Sequence, residues 1–373
     1  KFRVRKFMKL FKSLLVAPAT LGLLAPLSAT ANEVTINDFN PAEELAVTNS
    51  RVDGLEARLN NFEAGSFSET TTASFSTDFY LGSEDTEDGV ADDSVMATYS
   101  FQIDLNTSFT GEDSLDISLD AGNAGAAGIA EFDGNGGGDG LSVDGVAYTF
   151  PVGGATVFVG DNSDGSALYT TACVYGGPSN TLDDCGNVNA GFTGGAVAAG
   201  ASYDFGNGFT AATGLQTSTT GVLTEESLDS YGINAAYTGD DYGVSITYAT
   251  IESSITEENT YTAFNGYYTP EGLPSISVGY ETGDIGGAAS TVDEQESFFV
   301  GLTFDEVGPG SAGIAAGFSN VVEGSDEEYM YEAYYEYPVN DGMTITPLVF
   351  VKEEADAGVD DTTGVMVKTS FSF

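Results

Sequence analysis

The chain has 373 residues, 41% of them hydrophobic and 12% aromatic, with 57 acidic side chains against 10 basic ones and no histidine. A formal charge of −47 excludes nucleic-acid binding, which draws its affinity from neutralising phosphates, and the apolar content is too high for a disordered acidic chain. Without histidine, Ser-His and Cys-His catalysis is excluded; a carboxylate pair could hydrolyse glycosides, but with so many acids chance pairs carry no specificity, and no enzyme is expected.

Residues 1–31 read as an export signal. Lys1, Arg3, Arg5, Lys6, Lys9 and Lys12 precede the apolar stretch Leu14 to Leu27, which ends in Ala29-Thr30-Ala31, a small-residue cleavage pattern. Met8 is a reasonable start, since a charged region and an apolar region both follow it. A permanent anchor fits less well, because the run is short and carries Pro18, Gly22 and Pro26. Cleavage after Ala31 would leave only Arg51, Arg58, Lys352 and Lys368 against all 57 acids, a net charge of −53.

Residues 32–66 are expected to form a periplasmic segment with a short helix. Val52, Leu55, Leu59 and Phe62 fall on a and d heptad positions, with Leu45 on the preceding a. So short a helix is marginal alone; it suits an oligomerising stem or a segment docked on a larger body. Gly65 ends it.

From Phe67 the period becomes two. Phe101, Ile103 and Leu105 alternate with Gln102, Asp104 and Asn106; Leu115, Ile117 and Leu119 alternate with Asp116, Ser118 and Asp120. Tyr231 to Tyr237, Tyr242 to Tyr248, Phe298 to Phe304 and Val365 to Phe373 repeat the pattern, apolar on one face and polar or very small on the other. A soluble sandwich alternates too. Two features favour a transmembrane barrel, whose membrane signal is dispersed over alternating residues. The apolar faces tend to begin or end in Tyr or Phe, as in aromatic girdles. The connections also sort by length. Seven short turns (Gly111 to Ser114, Pro151 to Gly154, Gly206 to Gly208, Gly239 to Asp241, Thr269 to Pro274, Asp305 to Ser311, Pro338 to Gly342) separate eight long loops. These are Gly82 to Asp93, Ala121 to Gly140, Asp161 to Gly195, Ser218 to Ser227, Ser253 to Glu258, Gly283 to Glu294, Asn320 to Glu327 and Glu353 to Asp360. The expected fold is all-β: a 16-stranded antiparallel transmembrane β-barrel over 67–373 with a short N-terminal coiled-coil-like helix.

Cys173 and Cys185 lie close together in an exported chain, which predicts a disulfide. Structural zinc wants four S or N ligands and is not expected; nor is any cofactor. Gly134 to Gly140 and Asp161 to Gly165 carry partial likenesses to calcium loops, but neither repeats nor completes its pattern; flexible Gly-rich loops that bridge divalent ions loosely account for both. On the polar phase of the strands fall Asp78, Asp104, Asp116, Asp120, Asp144, Glu332 and Glu336, with Lys368 the one basic residue placed there. Carboxylates lining a pore favour cations.

The last third of the chain, "SISVGYETGD", "FFVGLTFDEVGPGSAGIAAGF", "EYMYEAYYEYPVNDGMTITPLVFVKE" and "DDTTGVMVKTSFSF", resembles the porins of marine cyanobacteria in the carbohydrate-selective porin superfamily. "YGINAAYTGDDYGVSITYA" resembles a barrel hairpin of that family, and "SRVDGLEARL" the coiled segment ahead of it. The usual surface-layer-homology domain has no counterpart, so wall binding is not carried over. The resemblance implies an outer-membrane porin for small hydrophilic solutes, with the solute left open; the preference for cations comes from the carboxylates and the net charge. It also implies contact with outer-membrane lipid and, with the strand count and the heptads, a homotrimer. Phe371 and Phe373 on an alternating final strand are similar to the signal read by the barrel-insertion machinery. A structural or adhesive surface protein is the alternative. Count and resemblance together make the Asp161 to Gly195 connection the third external loop, which in such barrels folds inward. Cys173–Cys185 would then restrain it, and Asp161, Asp164, Asp183 and Asp184 would set the charge at the constriction. A disulfide-tied flap outside the lumen is the other reading.

Overall fold

The computed structural model describes residues 70–85, 94–124, 131, 134–135, 138–222, 224, 227–254, 257–286, 293–354 and 360–373. The expected signal at 1–31 and the heptad residues Val52, Leu55, Leu59 and Phe62 lie outside them.

Sixteen strands follow in order: β1 (Thr71–Asp85), β2 (Met96–Thr107), β3 (Ser114–Gly122), β4 (Ser142–Val152), β5 (Ala155–Ser163), β6 (Gly195–Gly206), β7 (Phe209–Thr217), β8 (Asp229–Thr238), β9 (Tyr242–Ser254), β10 (Glu257–Tyr268), β11 (Ser275–Asp284), β12 (Glu294–Val307), β13 (Gly310–Val322), β14 (Met330–Asn340), β15 (Met343–Lys352) and β16 (Thr362–Ser372). Each pairs antiparallel with its sequence neighbours, and β16 returns to β1, so the sheet closes into a barrel. At the seam, Phe75 and Phe373 exchange both backbone hydrogen bonds at 3.0 Å, and their rings stack 5.6 Å apart.

The turns obey local chemistry. Asn207 and Gly208 both take positive φ, 53° and 85°, the pair a tight hairpin with right-handed strand twist requires. In the turn after β2, Asp113 accepts bonds from Thr110 N, Thr110 Oγ1 and Tyr148 Oη, all at 2.7 Å. Bonding to the charged form holds its carboxyl well below the usual carboxylate range. One expected connection shrinks: instead of a loop from Ser253 to Glu258, β9 reaches Ser254 and β10 starts at Glu257. The β-branched and aromatic run Thr250, Ile251, Thr260, Tyr261 favours continued pairing, and a bulge at Glu257/Glu258 absorbs the misfit.

The period-two pattern sorts the two faces of the wall. Outward residues are largely apolar and exposed: Ile233, Ile246 and Ile314 around the middle, with Tyr203, Phe205, Phe209, Tyr242, Tyr268 and Tyr337 toward the short-turn end. Rings on this face touch, Phe209 with Tyr237 at 4.8 Å and Tyr203 with Phe205 at 4.9 Å. The inward phase is of two kinds, and the difference places the functional site.

Candidate functional site

The connection from β5 to β6, residues 164–194, folds into the barrel. Along its first limb, backbone amides two residues apart donate to inward side chains of β8, β9 and β11. Thr170 N reaches Asn234 Oδ1 of β8 at 2.9 Å, Ala172 N reaches Ser245 Oγ of β9 at 2.9 Å, and Val174 N reaches Ser277 Oγ of β11 at 3.0 Å. Ser245 and Ser277 sit near the short-turn ends of their strands, so the limb goes deep. Tyr175 then donates its hydroxyl to Glu332 of β14 at 2.5 Å. Burial and that neighbouring carboxylate push the Tyr175 hydroxyl far above its ordinary value, which keeps it a donor.

The return limb is tied as firmly. Asn265 Nδ2 of β10 donates to the Cys185 carbonyl at 2.8 Å. Glu281 of β11, 1% exposed, accepts from Asn189 N at 2.9 Å, Asn189 Nδ2 at 2.7 Å and Ala190 N at 2.8 Å. A buried carboxylate is costly unless its lone pairs are filled, and here amides fill them. Gly194 N donates to Asp164 Oδ1 at 2.7 Å and joins the two ends of the loop. Cys173 and Cys185 form a disulfide between the limbs, 12 residues apart.

Glycine makes this close approach feasible. A Cβ at Gly279 of β11 would run into the Cys185 carbonyl, one at Gly214 of β7 into the Gly165 carbonyl, and one at Gly301 of β12 into the Tyr175 ring. The loop also has an apolar seat. Tyr175, Leu182 and Cys185 are buried with Phe299, Met330, Tyr334, Leu348, Phe350 and Met366, inward residues of β12 and β14–β16. A second seat joins Ala190 and Phe192 to Ala249, Tyr261 and Ala263.

The opposite wall, β2–β4 with β1 and β16 on the short-turn side of buried Tyr80 and Met366, carries polar inward residues. Asp78 pairs with Lys368 Nζ at 3.4 Å. Asp104 accepts from Gln102 Nε2 and Ser118 Oγ, each at 2.8 Å. Asp116 accepts from Asn106 Nδ2 at 2.5 Å and Ser114 Oγ at 2.7 Å, and Asp120 accepts from Ser142 Oγ at 2.8 Å. Asp144 stands where β4 slips one residue against β3, within the fields of Asp120, Asp104 and the loop's Asp164. On the loop side, Asp183 and Asp184 are exposed between buried Leu182 and Cys185. They line a hollow of about 350 Å³ with Tyr169, Thr171 and Asn187.

Two of the expected positions read differently in place. Asp161 does not belong to the loop: β5 runs on to Ser163, and Asp161 pairs with Val146 and Val197, on the outward phase with Val159. The strand extends past the predicted boundary because its neighbours β4 and β6 keep pairing with it. Glu332 points inward but is 4% exposed under Tyr175, so it anchors the loop and does not line open lumen. Glu336 accepts from Ser311 Oγ at 3.0 Å.

Sequence reasoning missed Lys352, whose neighbours in phase, Leu348 and Phe350, look like an outward apolar face but turn inward under the loops. It also missed Glu131, within the Gly-rich loop after β3. Lys352 and Glu131 meet at 3.4 Å. The wall glycines were visible only as small residues on the polar phase.

No protein-family model matches the chain, and no curated protein matches it. Solved structures do. A mutant form of the porin of Rh. blastica superposes with TM-score 0.52 at 14% identity, over 81% of this chain and 100% of that one. OprB of Pseudomonas putida superposes with TM-score 0.56 at 13% identity, over 82% and 94%. A chain described under asymmetric conductivity of engineered proteins gives TM-score 0.53 at 15% identity, over 81% and 100%. At such identities the likeness is one of fold. The described residues form a closed 16-stranded antiparallel barrel of the same fold as these porins.

Proposed function

We propose that this chain is an outer-membrane porin, a passive diffusion channel for small hydrophilic solutes and inorganic ions that prefers cations. The observation that carries the reading is the pairing of surfaces across the lumen. A loop presenting Asp164, Asp183 and Asp184 faces a wall presenting Asp78, Asp104, Asp116, Asp120 and Asp144. The inward basic residues Lys368 and Lys352 are each matched to a carboxylate. Carboxylates on both sides of a narrow passage attract cations and repel anions. The apolar outer band between aromatic rows suits a lipid bilayer, and the likeness of the last third to porins of marine cyanobacteria supports the same reading. Phe371 and Phe373 at the seam would serve as the insertion signal, residues 1–31 as the export signal, and the heptads of 52–62 as part of a homotrimer interface.

The test is a planar bilayer with purified protein in a KCl gradient. Stepwise conductance with a cation-selective reversal potential is expected, weakening in high salt as the Debye length falls from about 10 Å at 0.1 M to about 3 Å at 1 M. Chloride preference would sink the cation reading. No conductance at all would sink the channel and favour a structural or adhesive surface role. Replacing both cysteines by serine removes a cross-link worth roughly 3 kcal/mol on a chain-entropy basis and should change conductance or gating noise, and Asp183→Asn with Asp184→Asn should reduce cation preference; traces matching the parent in all of these variants would assign the constriction elsewhere.

A further inference from the structure

Glu131 belongs to the loop after β3, far in sequence from the constriction loop, yet the two loops meet through it. It is 6% exposed. Its Oε2 accepts from Thr181 N at 3.1 Å, and its Oε1 from Thr181 Oγ1 at 2.9 Å and Lys352 Nζ at 3.4 Å. Its carbonyl accepts from Asn180 N at 3.0 Å. Glu131 thus joins three elements: its own loop, the tip of the constriction loop and the inner wall at β15. Four residues on, Asn135 N donates to Ser100 Oγ of β2 at 2.7 Å. The held point is well chosen. Thr181 is followed by Leu182, which is buried in the apolar seat, and then by Asp183 and Asp184, which line the hollow. Thr181 O accepts from Ser319 Oγ of β13 at 3.1 Å, so the residue before Leu182 is clamped from both sides.

We propose that Glu131 is the positioning residue of the constriction: through Thr181 it fixes where Asp183 and Asp184 stand, with Lys352 as its contact on the inner wall. This rests on the channel reading of the same loop. A buried ion pair is weak evidence for stability on its own; its use here is to hold a loop in one place.

Four proteins, purified as the full chain, separate the possibilities: parent, Glu131→Ala, Glu131→Gln and Thr181→Val. Single-channel records and the reversal potential are read for each, together with amide exchange over residues 179–187. Glu131→Ala should raise the population of sub-conductance levels at least about tenfold, equivalent to ~1.4 kcal/mol, and speed exchange at 179–187. Thr181→Val keeps every charge, so a smaller change of the same sign, with reduced cation preference, reports position and not lost charge. Glu131→Gln keeps an acceptor for Thr181 and should return noise toward the parent. Parent-like noise, reversal potential and exchange in both Glu131→Ala and Thr181→Val would overturn the proposal. If Glu131→Ala fails to form a heat-modifiable barrel, Thr181→Val decides alone. If the parent does not conduct, the channel reading falls, while exchange still shows whether Glu131 holds the loop.

Discussion

The inner wall of this barrel has two halves that solve opposite problems. From β7 to β14 it must receive another piece of backbone: Gly214, Gly279 and Gly301 admit it, Asn234, Ser245, Ser277, Glu281 and Glu332 bond to it, and Phe299, Met330 and Tyr334 give it an apolar seat. From β16 through β1 to β4, beyond buried Tyr80 and Met366, its inward residues are Lys368 and the carboxylates Asp78, Asp104, Asp116 and Asp120, with amides and hydroxyls bonded to them. The same period-two alternation underlies both. Small residues permit approach; charged residues that keep their hydration forbid it. The loop therefore lies against one half and leaves the passage along the other.

That contrast can be broken at the glycines first. Gly279→Val sets a branched side chain where the Cys185 carbonyl lies, and overpacking of this kind costs ~1–3 kcal/mol. The loop should be pushed into the lumen, giving the largest effect expected here: a clear drop in single-channel conductance. The same substitution at Gly153, a turn glycine with open space around it but positive φ, should leave conductance alone while lowering resistance to urea. Equal conductance in Gly279→Val and parent would mean the loop is not seated on that wall.

Charge neutralisation sharpens the contrast with a smaller effect. Asp104→Asn with Asp116→Asn and Asp120→Asn strips the open wall; Asp183→Asn with Asp184→Asn strips the loop. Both should move the reversal potential toward zero in a KCl gradient. They should add nearly independently if the two carboxylate sets stand on separate surfaces. A shift in only one of them would assign selectivity to that side.

The smallest effect lies away from the lumen. Asp113 binds protons less readily in the folded turn than in the unfolded chain, so its contribution is fully present above the unfolded value of about 3.9. It fades as pH falls through the lower folded value. Asp113→Asn should flatten the acid limb of barrel stability, read as the fraction surviving in detergent, and leave the neutral plateau slightly lower. An unchanged acid limb would mean that other carboxylates dominate there.

Much of this was readable in the residues. The strand count follows from alternation punctuated by turns such as Asn207-Gly208, and the inward phase of Asp104 or Asp116 follows from the strict period. The path of the loop was readable only in part. That Gly214, Gly279 and Gly301 form a track depends on register across strands distant in sequence, which no local pattern encodes. Lys352 escaped notice because Leu348 and Phe350 are apolar on the inward phase, a choice that makes sense only once Leu182 and Tyr175 lie on top of them. Asp161 was misplaced because an aspartate beside Asn162 and Gly165 looks like a loop, while pairing with Val146 and Val197 holds it in the strand.

The seam between Phe75 and Phe373 carries a consequence for how the molecule comes into being. The first and final strands are about 300 residues apart in sequence, yet each supplies the other's missing hydrogen bonds. Until β16 arrives, β1 is a row of unsatisfied donors and acceptors, the kind of edge that recruits foreign strands. Nothing nearer in the sequence can occupy that place, so assembly must delay commitment of its opening segment until the end of the chain is at hand. Such long-range pairing is slow, so in the interval the outer edge of β1 is where this topology is most open to pairing with the wrong strand.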